Sequence, residues 1–255
     1  MTGWQVLFLL AASAGGGVMN AMAGGGTLLT FPALLVAGHS AITANATSTV
    51  ALWPGALASM VGYRREVSEH RSWLKTLFLP SLLGGVLGAA LLLRTPVATF
   101  ERLAPFLILF ATVLFLLQGT LSKTAPGPVA SRTGWRLVLA WLLQFAIAVY
   151  GGYFGAGIGI LMLAVLGFLG LKDIHAANGL KNFFGMCING LAAVYFLLRG
   201  AVALPAAAVM IVGAVAGGYA GARFARRIGR TKARAAVVVI GFLMAAILLV
   251  QQGAR

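Results

Sequence analysis

The chain has 255 residues, of which 60% are hydrophobic and only 9% charged, and its mean hydropathy is +0.97. A soluble domain is about half apolar and a quarter charged, so a water-soluble globule is excluded, as is a disordered chain, which needs low hydrophobicity. The 19 Lys and Arg against 4 Asp and Glu give a net charge of +15, read first as the basic cytoplasmic loops of a membrane protein and not as a nucleic-acid surface, with a smaller share serving an anionic substrate.

In chain order the candidate apolar segments are 4–22, 27–38, 42–63, 74–93, 99–119, 135–156, 159–171, 174–198, 203–222 and 233–251. The first has no basic residues ahead of it, so it is read as a retained helix and not a cleaved signal. A membrane-crossing helix needs roughly 20 apolar residues. Segments 27–38 and 159–171 are too short, and each follows a glycine cluster: Gly24-Gly25-Gly26, and Gly155, Gly157 and Gly159. A short apolar piece after a glycine turn reads as a half-helix or re-entrant arm. Small residues four apart, at Gly84 and Gly88 and at Gly213, Gly217 and Gly221, read as faces for close helix packing.

The order of segments predicts a duplication. A shift of 133 positions brings Ala23 onto Ala156, Gly24 onto Gly157, Gly26 onto Gly159, Leu28 onto Leu161, and Ala44-Asn45 onto Ala177-Asn178. Ser40 falls on Asp173, both good N-caps. At a shift of 129, Gly84, Gly88 and Arg94 meet Gly213, Gly217 and Arg223. The stretch 120–134, rich in Pro, Gly and Ser, reads as a cytoplasmic linker between a first transmembrane repeat, 1–119, and a second, 135–255.

Basic residues set the orientation. Arg64, Arg65, Arg71 and Lys75 follow the third segment, Lys123, Arg132 and Arg136 mark the linker, and Arg223, Arg226, Arg227, Arg230, Lys232 and Arg234 precede the last segment. The most basic loop follows the third segment of the first half but the fourth of the second half. That phase shift predicts two inverted repeats in an all-α polytopic membrane protein. Each repeat holds a broken or re-entrant pair plus three full transmembrane helices, and both termini lie outside. The alternative is eight plain spans in a parallel 4+4 arrangement.

Much chemistry is missing. The four acids, Glu66, Glu69, Glu101 and Asp173, all sit at predicted helix ends or loops, whereas proton pumps often bury carboxylates at mid-membrane and divalent-cation sites want carboxylate oxygens. No metalloprotease, nucleophile-elbow or P-loop motif is present, and the single Cys187 offers neither a disulfide framework nor a metal cluster. No enzyme activity, metal or cofactor is expected.

What is present favours an anion. A helix N-terminus exposes free N–H groups and partial positive charge, and glycine lets a ligand approach the backbone. Gly24, Gly25, Gly26 and Thr27 open one arm, and Gly157 and Gly159 the other; the alternative is that these glycines only make tight turns. Near the same depth stand Asn45, Thr47, Ser48 and Thr49, and in the second copy Asn178, Lys181 and Asn182. Hydroxyls and amides donate to an oxyanion without a counter-charge. A lysine about two turns into a span marks a functional site by default, unless it snorkels to the interface. His39 and His175 flank the arm-to-helix junctions and are candidates for proton coupling.

These residues resemble the sulfite exporter TauE/SafE family of membrane permeases. The likeness lies in GGVMNAMAGGGTLLTFPALLVAG (16–38) and ANATSTVALWPGALASMVGYRR (44–65), and in the weaker copy GGYFGAGIGILMLAVLGFLG (151–170) with AANGLKNFFGMCINGLAAVYF (176–196). It implies a carrier in the bacterial inner membrane for a sulfur-containing oxyanion, such as sulfite, sulfoacetate or another organosulfonate, working as an exporter. Its residues carry over as Gly24, Gly25, Gly26 and the 45–49 stretch. The second copy departs, with Val165 in place of Pro32 and no hydroxyl run. The expected partners are a small anion and the lipid bilayer, not nucleic acid, and homo-oligomer formation stays open. A passive anion channel and a membrane subunit delivering sulfur to a partner enzyme are the alternatives. Cys187, alone within a span, speaks against the second.

Overall fold

A computed structural model of the protein describes residues 1–22, 25–62, 64–121, 134–171, 173–228 and 230–253. Those residues form eleven helices: α1 (Gly3–Met22), α2 (Thr27–Val36), α3 (Ala41–Gly62), α4 (Arg64–Glu69), α5 (Arg71–Arg94), α6 (Val97–Leu121), α7 (Gly134–Tyr153), α8 (Ile158–Phe168), α9 (Ile174–Leu198), α10 (Leu204–Ile228) and α11 (Arg230–Gly253). The all-helical class read from the sequence holds. Three stretches, Arg71–Arg94, Val97–Leu117 and Ala176–Leu198, are each long and apolar enough to cross a bilayer.

Ten of these helices match the ten apolar segments. Several run further than the segments did, because the apolar run marks only the part suited to hydrocarbon while the helix continues into its polar ends; α5 thus starts at Arg71 and α11 at Arg230. The six-residue α4 falls where a loop was expected. Residues 122–133, most of the expected linker, lie outside the described residues.

The helix bounds recur along the chain. Adding 133 to the starts of α3, α5 and α6 (41, 71 and 97) gives 174, 204 and 230, the starts of α9, α10 and α11. The arms α2 and α8 start at 27 and 158, within two residues of the same shift. The glycine match at 129 recurs in the packing: Gly84 meets Phe145 O and Val149 N as Gly213 meets Leu10 O and Ala14 N, and Gly88 meets Val149 O as Gly217 meets Ala14 O.

Close approach fixes the pairing of helices. A Cβ on Gly213 or Gly217 would overlap Leu10, Ser13 or Ala14 of α1, and one on Gly17 would overlap Ala214 of α10. Numbers rise together on both helices, so α1 and α10 run parallel. In the same way Gly84 meets Phe145 and Ala148, Gly88 meets Val149 and Tyr153, and Gly152 meets Gly85, so α5 and α7 run parallel. Gln144 also donates to Ser81 Oγ at 2.8 Å inside that seam. Without a hydrophobic drive between helices in lipid, such backbone-to-backbone contact is what holds them. Spatial neighbours therefore cross the sequence halves: α10 lies with α1 and α3, and α5 with α7 and α9.

The first arm turns back on its own helix. Gln5 Nε2, at the start of α1, donates to Ala37 O, just past the end of α2, at 3.1 Å, and Gly15 faces Leu29. The outer surface is apolar in rows, such as Leu83, Leu87 and Leu91 of α5 or Val239, Leu243 and Val250 of α11. Exposed apolar area on this scale marks a surface made for lipid, so this is a multi-pass membrane protein.

Candidate functional site

The two glycine turns are built by different means and reach the same place. In the first, Asn20 Oδ1 accepts the Gly26 N–H at 3.0 Å, capping the start of α2. Gly25 and Gly26 are needed for space, since a Cβ on Gly25 would strike the Phe115 ring and one on Gly26 the Gly16 carbonyl. In the second, Gly155 and Gly157 have φ of +82° and +81°, a left-handed conformation that side chains disfavour. Tyr150 Oη donates to Ala156 O at 2.7 Å and fixes the bend. Gly157 packs on Ala111 and Leu114, and Gly25 on Phe115. Both turns thus rest on the same turn of α6.

Between them lies a cavity of ≈70 Å³, room for a handful of water-sized groups at about 10–15 Å³ each. Thr27 lines it from the first arm, Gly155 and Gly159 from the second, Thr49 from α3, and Lys181 and Asn182 from α9. Lys181 is 9% exposed, and its stem lies over Gly159, where a Cβ would stand 3.1 Å from Lys181 Cδ. Asn20 and Asn189 add amide groups. Among the described residues no Asp or Glu lines this cavity. Its polar wall is one ammonium, amides, hydroxyls and the starts of two helices, a donor-rich set suited to an oxyanion.

Of the residues singled out in the sequence, Thr27, Thr49, Gly159, Lys181 and Asn182 share this cavity. Others of the set stand behind it with different partners. Ser48 Oγ and Thr30 Oγ1 are 2.5 Å apart and tie α3 to α2, while Thr47 Oγ1 accepts the Ala203 N–H at 3.0 Å, at the start of α10. Asn45 Nδ2 donates to Tyr153 O at 2.8 Å, next to the second turn, and its Oδ1 is buried with no protein donor. Gly25, Gly26 and Gly157 shape the turns, and neither they nor Asn178 line the cavity. Gly24 and the His175 side chain lie outside the described residues. His39 stands apart, in a second cavity of ≈210 Å³ with Glu101, Gln251 and Gln252.

Sequence reasoning left Asn20 out of the site, although a polar residue four positions ahead of a glycine cluster was the available signal. Asn189 was likewise left out of the site and lines the cavity. Cys187, half-buried in α9, does not line it.

A family model described as "Sulfite exporter TauE/SafE" matches residues 8–248. The chain belongs to that family. Among similar proteins of the family's kind, a "Probable membrane transporter protein" of Haemophilus influenzae is 32% identical over 240 residues, covering 92% of this chain and 91% of the relative. The "Probable membrane transporter protein YfcA" of Escherichia coli K12 is 28% identical over 251 residues, 96% of this chain and 88% of the relative. The "Probable membrane transporter protein ORF9" of a Sinorhizobium species is 27% identical over 244 residues, 95% and 91% respectively. No solved structure matches.

Proposed function

We propose that this membrane transporter is an alternating-access carrier, not an enzyme, that exports a small sulfur-containing oxyanion such as sulfite, sulfoacetate or another organosulfonate. The observation that carries the reading is the cavity where Thr27, Gly159 and Lys181 converge with no carboxylate in its wall among the described residues. The family description supports the choice of sulfur oxyanions. Two inverted repeats, 1–119 and 135–255, would form the machine. The recurrence of helix bounds at 133 and the reciprocal pairs α1–α10 and α5–α7 support that arrangement. Each broken helix then brings its amide-bearing end to the middle of the bilayer from an opposite face.

Purified protein should gain thermal stability with sulfite or sulfoacetate more than with carboxylates of equal charge, because a ligand that binds only the folded state stabilises it. Lys181→Met should remove most of that gain and weaken anion binding at least about tenfold, since a hydrogen bond to a charged group contributes about 1.5–3 kcal/mol. Equal affinity in a folded Lys181→Met protein, measured by calorimetry, would remove Lys181 from the site.

A further inference from the structure

The central cavity and the ≈210 Å³ cavity around His39 are joined by one short helix. Thr27 at the start of α2 lines the first, and Leu35 near its end lines the second. Phe31 is four residues from each, about 6 Å of helical rise either way. It is fully buried, as is Phe100 of α6, and Phe154 of the second turn is 1% exposed. The three rings close on one another: Phe31 to Phe154 at 5.5 Å and 82°, Phe31 to Phe100 at 6.4 Å and 82°, and Phe100 to Phe154 at 6.5 Å.

The neighbours of these rings are informative. Phe154 adjoins Gly155, which lines the central cavity, and Phe100 adjoins Glu101, which lines the other. Tyr153 extends the cluster, its ring 5.7 Å from Phe100 and its hydroxyl 3.3 Å from Thr95 Oγ1. The cluster is therefore a buried aromatic block, contributed by three elements, set between residues that line the two cavities. Edge-to-face aromatic pairs are favourable yet weak singly, about 0.5–1.5 kcal/mol each beyond their burial, a scale suited to a barrier that must open and close.

We propose that Phe31, Phe100 and Phe154 form the closed outer gate of the transport pathway, and that the cavity lined by His39, Glu101 and Gln252 is its outer vestibule. The gate opens when the second turn, clamped through Tyr153 O by Asn45, draws Phe154 away from α2 and α6. A shut gate beside a formed central cavity is one end of an alternating-access cycle. The proposal rests on the carrier reading for its direction, but not on which anion is carried.

The test uses a thiol reporter. Cys187 is replaced by Ala and Thr27→Cys placed at the central cavity, and proteoliposomes of known orientation are treated with a membrane-impermeant maleimide from the vestibule face. With the three rings intact, labelling should be slow. Phe31→Ala or Phe100→Ala should raise its rate at least about tenfold, while His39→Cys in the vestibule labels fast in every background. Should Phe31→Ala fail to accumulate, Phe31→Leu keeps an apolar helix face and should give a smaller rise. An unchanged Thr27→Cys rate in a folded gate variant, or fast labelling with all rings present, overturns the gate. The readout involves no substrate, so a failed sulfite-binding experiment beside a raised labelling rate would reject the anion assignment and leave the gate standing.

Discussion

The two broken helices occupy matching places and are made of different materials. The α1–α2 turn is held by crowding and a side-chain cap: Gly16, Gly25 and Gly26 touch backbone or ring, and Asn20 caps Gly26. The α7–α8 turn is held by backbone sign. Gly155 and Gly157 are left-handed, and nothing stands within 3.4 Å of a Cβ placed on Gly157. Just ahead of that turn, the Tyr153 carbonyl is gripped by Asn45. The charge is one-sided too, since Lys181 of the second half stands where the first half has Ser48. The two turns thus reach one cavity by different means of support, and Lys181 brings a cation to its wall.

Exchanging the demands of the two turns would break that contrast most visibly. Gly26→Ala should be the more harmful, because its new methyl meets the Gly16 carbonyl and two helices must part. Overpacking of that kind costs about 1–3 kcal/mol, to be read as a lower melting temperature in detergent and lost anion binding. Gly157→Ala has room for its methyl and should pay only for left-handed backbone, about 1–2 kcal/mol. A larger melting shift for Gly157→Ala than for Gly26→Ala would reverse the distinction drawn here. The mildest change, Asn20→Ala, should cost about 1 kcal/mol as a lost cap, with Asn20→Asp restoring the melting temperature through the same acceptor. No rescue by Asp would mean that Asn20 acts through the cavity and not through the Gly26 N–H.

Much of the scaffold was readable without coordinates. Two apolar segments too short to span, each behind glycines, became α2 and α8, and Lys181 stood out because a cation inside an apolar run needs a reason. The hydroxyl run was harder. Spacing put Asn45, Ser48 and Thr49 on related faces, but which of them meets a ligand depends on what lies opposite: Thr30 takes Ser48, Tyr153 takes Asn45, and only Thr49 is left facing the cavity. Periodicity within one helix carries no information about its neighbours. The same limit hid the aromatic block, whose three rings come from positions 31, 100 and 154 and look like ordinary apolar residues in each local stretch.

The seam between α1 and α10 has a consequence for how the protein is made. From Met22 at the end of α1 to Leu204 at the start of α10 the ribosome must add 182 residues, on the order of 10–40 s at typical rates of synthesis. Through that interval the first helix made lacks the small-residue surface of α10 that it will grip. A chain stopped after the first half would hold α1 without its mate and α5 without α7, and two separately translated halves should recover function only when both are present in one bilayer.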